Sequence, residues 1–151
     1  MNVALTVNGR GVEIEVAPAE NLLTSLRDRL CLTGSKDACH EGSCGTCTVL
    51  LDGAPVYSCL VLSALADGSS VETIEGLTAD GRARQVQEAL LDAGAVQCGF
   101  CTPGLVVAAV ALIERAPTVS EEEVRRALAG NLCRCTGYVR IVDAVLRVAQ
   151  P

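Results

Sequence analysis

The sequence is poor in histidine, aromatic residues and lysine. Its 151 residues include one histidine (His40), no tryptophan, two tyrosines and one phenylalanine. The single histidine excludes several chemistries together. A Rieske centre needs two histidine ligands, and so does a Cys2His2 zinc site or a His-Glu-x-x-His metalloprotease. A Ser-His-Asp or Cys-His nucleophile would have to use His40, which lies inside a cysteine-rich loop and reads as a solvated loop residue. With 2% aromatics, core volume must come from Ala, Val and Leu, and a hydrophobic fraction of 50% can supply it. Lys36 is the only lysine, and 12 basic residues face 18 acidic ones for a net charge of −6. That balance argues against a nucleic-acid or anionic-membrane partner. No apolar run reaches membrane-spanning length, and Met1–Gly9 lacks a positive region followed by an apolar stretch. Neither membrane insertion nor a secretory signal is expected, which points to the cytoplasm.

The chain is rich in cysteine. It has nine, an odd number, and with no export signal they argue for metal rather than disulfides. Cys39, Cys44 and Cys47 fall at Cys-x4-Cys-x2-Cys spacing, with Gly42 and Gly45 between them and Cys59 further on. This is the plant-type spacing for a [2Fe–2S] cluster. Four thiolates must converge on a core a few Å across, and a short loop does this only with glycines that allow positive φ and close backbone approach. The competing reading is a zinc site or plain buried cysteines, but zinc sites usually pair one Cys-x2-Cys with another. Cys31 stands apart from both cysteine groups and reads as a small buried apolar residue.

Around this loop the pattern predicts a small α+β unit. Val3, Leu5 and Val7 alternate with polar residues, Asn8-Gly9-Arg10-Gly11 is turn chemistry, and Val12, Ile14 and Val16 resume the alternation, so residues 2–16 read as a hairpin. Leu22, Leu23, Leu26 and Leu30 predict a helix over Glu20–Leu30. Strands are expected at Thr48–Leu51, through Val56 to Cys59, and at Val71–Ile74. Strand alternation stops near Thr78, which sets the expected domains at 1–77 and 78–151.

The second half reads as four helices. Gln85–Ala93 has one apolar face. Thr102 is expected to cap a helix with Pro103 at its first position. The stretch Leu105–Ile113 carries no charge, so it should be buried on every side, and a domain this small would need a partner to cover it. Ser120 and Glu123 form a capping box for a helix that Gly130 stops. Val139, Val142, Val145, Leu146 and Ala149 make the stripe of a last helix. Cys98, Cys101, Cys133 and Cys135 sit at helix ends, where dipoles and free N–H groups favour thiolates. By spacing alone, this second quartet suits zinc and [2Fe–2S] equally.

Three stretches carry a resemblance: Glu41-Gly-Ser-Cys-Gly-Thr-Cys-Thr-Val-Leu50, Gln97-Cys-Gly-Phe-Cys-Thr-Pro-Gly104 and Gly130-Asn-Leu-Cys-Arg-Cys-Thr-Gly-Tyr138. In this order, over essentially the whole chain, the sequence resembles the small iron–sulfur subunit of the molybdenum hydroxylases, the xanthine dehydrogenase and carbon monoxide dehydrogenase family. The resemblance implies an α+β chain, with an N-terminal β-grasp plant-type ferredoxin domain followed by a C-terminal four-helix domain. It implies two [2Fe–2S] clusters, one on Cys39, Cys44, Cys47 and Cys59, the other on Cys98, Cys101, Cys133 and Cys135. It also implies a large molybdopterin-binding partner subunit and a medium FAD-binding one. Electrons would pass singly from molybdopterin through both clusters toward FAD. Gln97 and Cys135 correspond to positions on the pterin side; the alternative for Gln97 is a buried amide capping a helix end. Ala38 stands where many relatives have glycine, a departure that leaves the cluster loop intact. No residue is a convincing acid, base or nucleophile. The rival reading is a free-standing ferredoxin-like carrier with one [2Fe–2S] cluster and one structural zinc.

Overall fold

The computed structural model describes residues 1–116 and 118–150. Strands β1 (Asn2–Val7) and β2 (Arg10–Glu15) form the expected hairpin, with Val3 opposite Ile14 and Leu5 opposite Val12. Asn8 and Gly9 turn it with φ of 50° and 75°, the left-handed pair that matches strand twist. Strands β3 (Thr48–Leu51), β4 (Ala54–Tyr57) and β5 (Ser70–Glu72) complete a five-stranded sheet in the order β2-β1-β5-β3-β4. β1 and β5 run parallel and the other pairs antiparallel. The expected last strand is shorter than its pattern: Ile74 opens helix α2 (Ile74–Ala79) instead.

The helix expected over Glu20–Leu30 is a single α-turn, α1 (Leu22–Thr24), that widens into a π-helical turn over Ser25–Arg29. The wider winding keeps Leu22 and Leu26 in the sheet's core with Val3, Leu5, Val49 and Val71. Cys31 follows in a left-handed conformation, φ 57°, and is exposed rather than buried as expected. Leu30 and Leu32 on either side of it still pack against that core, and Cys31 alone faces out.

Among the described residues, five helices rather than four follow β5: α2, α3 (Arg84–Asp92), α4 (Thr102–Arg115), α5 (Glu121–Leu128) and α6 (Val139–Ala149). The boundary expected after residue 77 lies inside α2. Helix α4 starts at Thr102 with Cys101 in the cap position, so Thr102 is not the cap, and Pro103 falls in the first turn, where its missing N–H costs nothing. The capping box at α5 is present in full, Ser120 accepting from the Glu123 N–H and Glu123 from the Ser120 N–H.

The charge-free stretch is buried by the chain itself. Gly104 to Ala111 of α4 are all buried, packed on β3, β4, α2, α3 and α5. β3 makes this possible: Val49 faces the sheet's core while Leu50 faces the helical core, so this strand is covered on both sides. From Leu105 to Ala111 the chain supplies the cover that a partner was expected to give, while Leu112 and Ile113 stay half-buried. Exposed apolar side chains lie elsewhere, including Leu60, Leu65, Phe100, Leu132 and Val139. Among the described residues, no helix is long and apolar enough to cross a membrane.

Candidate metal centres

The first cysteine loop, residues 39–47, is shaped by left-handed residues: His40, Gly42 and Gly45 have φ of 55°, 74° and 68°. His40 is exposed and pairs with Asp37, outside any ligand cluster. Cys59 sits on a 3-10 turn, Ser58–Leu60, directly after β4 and returns to the loop. The Cys39 thiol contacts Cys44, and Cys59 contacts Cys47 and feels the charge of Cys39. Backbone N–H groups point at these sulfurs. The Glu41 N–H is the main cause that lowers Cys39 to about 6, helped by the Cys44 and Ser43 side chains. Burial pushes Cys59 up to about 11, with its contact to Cys47 adding to the rise. Cys47 and Cys59 are buried, and a buried thiol such as Cys59 becomes favourable as a thiolate when a cationic core offsets its charge.

The second quartet joins the α3–α4 and α5–α6 connections. Cys98 and Cys135 lie 3.6 Å apart, sulfur to sulfur, and Cys101 contacts Cys133. Burial raises Cys101 to about 12, and the neighbouring Cys133 thiol adds to it. Burial also acts to raise Cys133, yet Cys133 is lowered, because the Thr136 hydroxyl and the N–H groups of Cys135 and Thr136 bond to its sulfur. Cys135 is raised by its contact with Cys98.

In both places the sulfurs come together as two pairs. Among the described residues, no three His, Cys, Asp or Glu side chains converge on a position one ion could hold. Each iron of a [2Fe–2S] core takes two thiolates, so the paired arrangement fits the diiron core. The glycines between the cysteines and the N–H groups aimed at sulfur fit it as well.

Gln97 is exposed, so it is not a buried cap; its amide donates to the Cys135 carbonyl at 3.2 Å, linking the two residues singled out together. Residues without cysteine chemistry also build the site. Asn131, 4% exposed, donates from its side chain to the Gly45 carbonyl at 2.8 Å and to Thr48 Oγ1 at 3.0 Å. The Tyr57 hydroxyl donates to the Gly130 carbonyl at 3.1 Å. The Leu132 N–H donates to the Cys44 carbonyl at 2.9 Å. The two cysteine loops are thus in backbone contact. A signal for Asn131 was present in its place one residue before Leu132-Cys133, but nothing in the sequence gave its partners.

Residues 5–73 match a family described as "2Fe-2S iron-sulfur cluster binding domain", and residues 73–146 match one described as "[2Fe-2S] binding domain". The second match removes the zinc alternative. The chain is 45% identical over 145 residues to the nicotinate dehydrogenase small FeS subunit of Eubacterium barkeri, covering 96% of this chain and 92% of that one. It is 45% identical over 148 residues to the xanthine dehydrogenase iron-sulfur-binding subunit of Escherichia coli O157:H7, covering 97% and 92%. Among solved structures, quinoline 2-oxidoreductase from Pseudomonas putida 86 superposes with a TM-score of 0.92 at 43% identity, over 99% of this chain and 92% of that chain.

Proposed function

We propose, from the premise that this chain belongs to the small iron–sulfur subunits of the molybdenum hydroxylase family, that it passes single electrons from a molybdopterin centre on a large partner subunit toward FAD on a medium one. The chain is the iron–sulfur electron-transfer subunit of a multi-subunit oxidoreductase, with two [2Fe–2S]-binding domains. We assign these domains to residues 1–77 and 78–151. Cys39, Cys44, Cys47 and Cys59 hold one cluster, and Cys98, Cys101, Cys133 and Cys135 the other. When bound, each cluster supplies a one-electron couple.

The observation that carries this reading is the hydrogen bond from Leu132 N–H to the Cys44 carbonyl. It sets a first-quartet cysteine one hydrogen bond away from the neighbour of Cys133. A relay needs its two centres held at one short separation, and a carrier with a remote structural site does not. The pterin side is assigned to the second quartet because Cys98 and Cys135 are exposed, with the Gln97 amide beside them and apolar Phe100, Leu132 and Val139 on the same loops and the start of α6. An amide offers both a donor and an acceptor to a heterocycle edge. Nine cysteines suit a reducing compartment, hence the cytoplasm.

The test is metal analysis of the purified complex together with identification of its chains. Two clusters of two iron atoms each give four iron atoms and four acid-labile sulfides per copy of this chain, without zinc. Stoichiometric zinc, or a chain that purifies without molybdopterin- and FAD-containing partners, would count against the assignment.

A further inference from the structure

The loop Cys133–Tyr138 closes on itself through three polar contacts. The Thr136 hydroxyl donates to Cys133 Sγ at 3.2 Å. The Tyr138 N–H donates to Thr136 Oγ1 at 3.3 Å, and the Cys133 N–H donates to the Tyr138 hydroxyl at 2.7 Å. A hydroxyl has one proton and accepts through its oxygen lone pairs. With the Tyr138 N–H on the oxygen of Thr136, its proton is directed to sulfur. Thr46 in the first loop differs: its hydroxyl lies 3.3 Å from Cys44 Sγ and also 3.3 Å from the Lys36 carbonyl, so two acceptors share one proton.

Tyr138 adopts an unusual conformation to do this. Its φ of 68° and ψ of −28° place a bulky residue in the left-handed region, which side chains other than glycine's avoid. Such strain persists only where the surroundings hold it. Here the Cys133 N–H anchors the ring's hydroxyl from one side, and α6 starts directly behind it.

We propose that Thr136 sets the reduction potential of the second cluster through its hydrogen bond to Cys133, and that Tyr138 is the positioning residue that aims it. The inference rests on Cys133 being a ligand of that cluster, as read above. Reduction adds one electron and one negative charge to the cluster and its thiolates, with no bond made or broken and no proton moved. A donor on a ligand sulfur stabilises the more negative state and raises the potential. Hydrogen bonds to charged acceptors are stronger than those to neutral ones. The part that differs between the two oxidation states is of the order that shifts the reduced-to-oxidised ratio about tenfold, or 59 mV for one electron.

The experiment is a redox titration of the assembled enzyme with dithionite and mediators, reading the two clusters by their separate EPR signals. Thr136→Val lowers the second cluster's midpoint by about 59 mV, Thr136→Ser restores it, and the first cluster keeps its wild-type midpoint in both. An intact second signal with an unchanged midpoint in Thr136→Val overturns the proposal. If valine costs the cluster, Tyr138→Phe decides: it keeps the ring and the Thr136 hydroxyl, removes the anchor, and lowers the midpoint by a smaller step, whereas an unchanged midpoint overturns the proposal. Cys133→Ser tests the underlying reading separately. A second signal that survives it unaltered means the ligand assignment fails; an altered signal beside an inert Thr136→Val sinks the tuning role alone.

Discussion

The Asn131 side chain reaches the Gly45 carbonyl at 2.8 Å, across 86 residues of sequence. One end of this contact lies between Cys44 and Cys47, the other two residues before Cys133. The same amide also satisfies Thr48 Oγ1, at the start of β3. Asn131→Ala therefore leaves two buried groups with one partner fewer, at about 1–3 kcal/mol. The expected outcome is a lower urea midpoint and, in the assembled enzyme, a broadened EPR signal from the first cluster. Urea unfolding and EPR of the same preparation check both.

Glycines at this seam tolerate nothing larger. A Cβ on Gly45 would meet the Gly130 carbonyl, and one on Gly104 would meet the Gly45 carbonyl. Gly45 also has φ of 68°. Gly53 has φ of 79° but open space around it. Gly53→Ala should cost only the conformational term, about 1–2 kcal/mol, and leave iron content unchanged. Gly45→Ala adds a collision of the new methyl group with the Gly130 backbone and should lose the first cluster. Iron and sulfide content after purification separates the two.

Much of this was readable in the sequence where a local rule decides the outcome. The alternation of Val3, Leu5 and Val7 gave the hairpin and its buried face, and Ser120 with Glu123 gave the start of α5. The cysteine spacing led to two quartets because glycines and helix ends fix those loops locally. What escaped depends on packing between distant segments. The apolar run of α4 pointed to a missing partner, yet β3 covers it. The π-turn at Ser25–Arg29 fits leucine spacing nearly as well as an α-helix does, and only the core selects it. Ile74 continues the strand pattern but is taken into α2, and the Glu75 carboxylate two positions after Thr73 accepts from the Gly34 N–H at 2.8 Å.

Glu20 gives the fold a pH dependence. Its carboxylate is lowered to about 2, chiefly by hydrogen bonds from Arg29, then from Ser25 and the Ala17 N–H, against the opposing effect of burial. Arg29 binds it twice, at 2.7 and 2.6 Å. A carboxyl lowered from 4.5 contributes its full stability above pH 4.5 and loses it as pH falls toward about 2. With an exposed arginine as partner, the contribution is about 1 kcal/mol. Glu20→Gln should lower the urea midpoint equally at pH 7 and pH 5. The gap should shrink at pH 3.5, where the Glu20 carboxyl of the unfolded chain, near 4.5, takes up a proton while the folded one stays ionised. Cluster loss in acid affects both chains alike, so the difference between them is the quantity to read. A gap that stays constant to pH 3 contradicts the pairing.

The two quartets should fail in different ways. Cys44→Ser and Cys101→Ser each replace one thiolate with a harder and far less acidic ligand, in different loops. Cys44 lies in the first cysteine loop, and Cys101 lies in the second quartet at the start of α4. If the second quartet faces molybdopterin, Cys101→Ser should stop substrate-derived electrons before they enter this chain. Molybdenum is then reduced while the first cluster and the flavin remain oxidised. Cys44→Ser should let electrons reach the second cluster and slow flavin reduction sharply, by at least the tenfold that corresponds to 1.36 kcal/mol in a barrier. Rapid mixing of the assembled enzyme with substrate, followed by EPR of each cluster and by flavin absorbance, distinguishes the two. The order matters because the Leu132–Cys44 bond joins the loops without saying which end is the entrance. Normal flavin reduction in Cys44→Ser, with the second cluster reduced on time, would mean that flavin draws on the second cluster directly and that the first is not on the route.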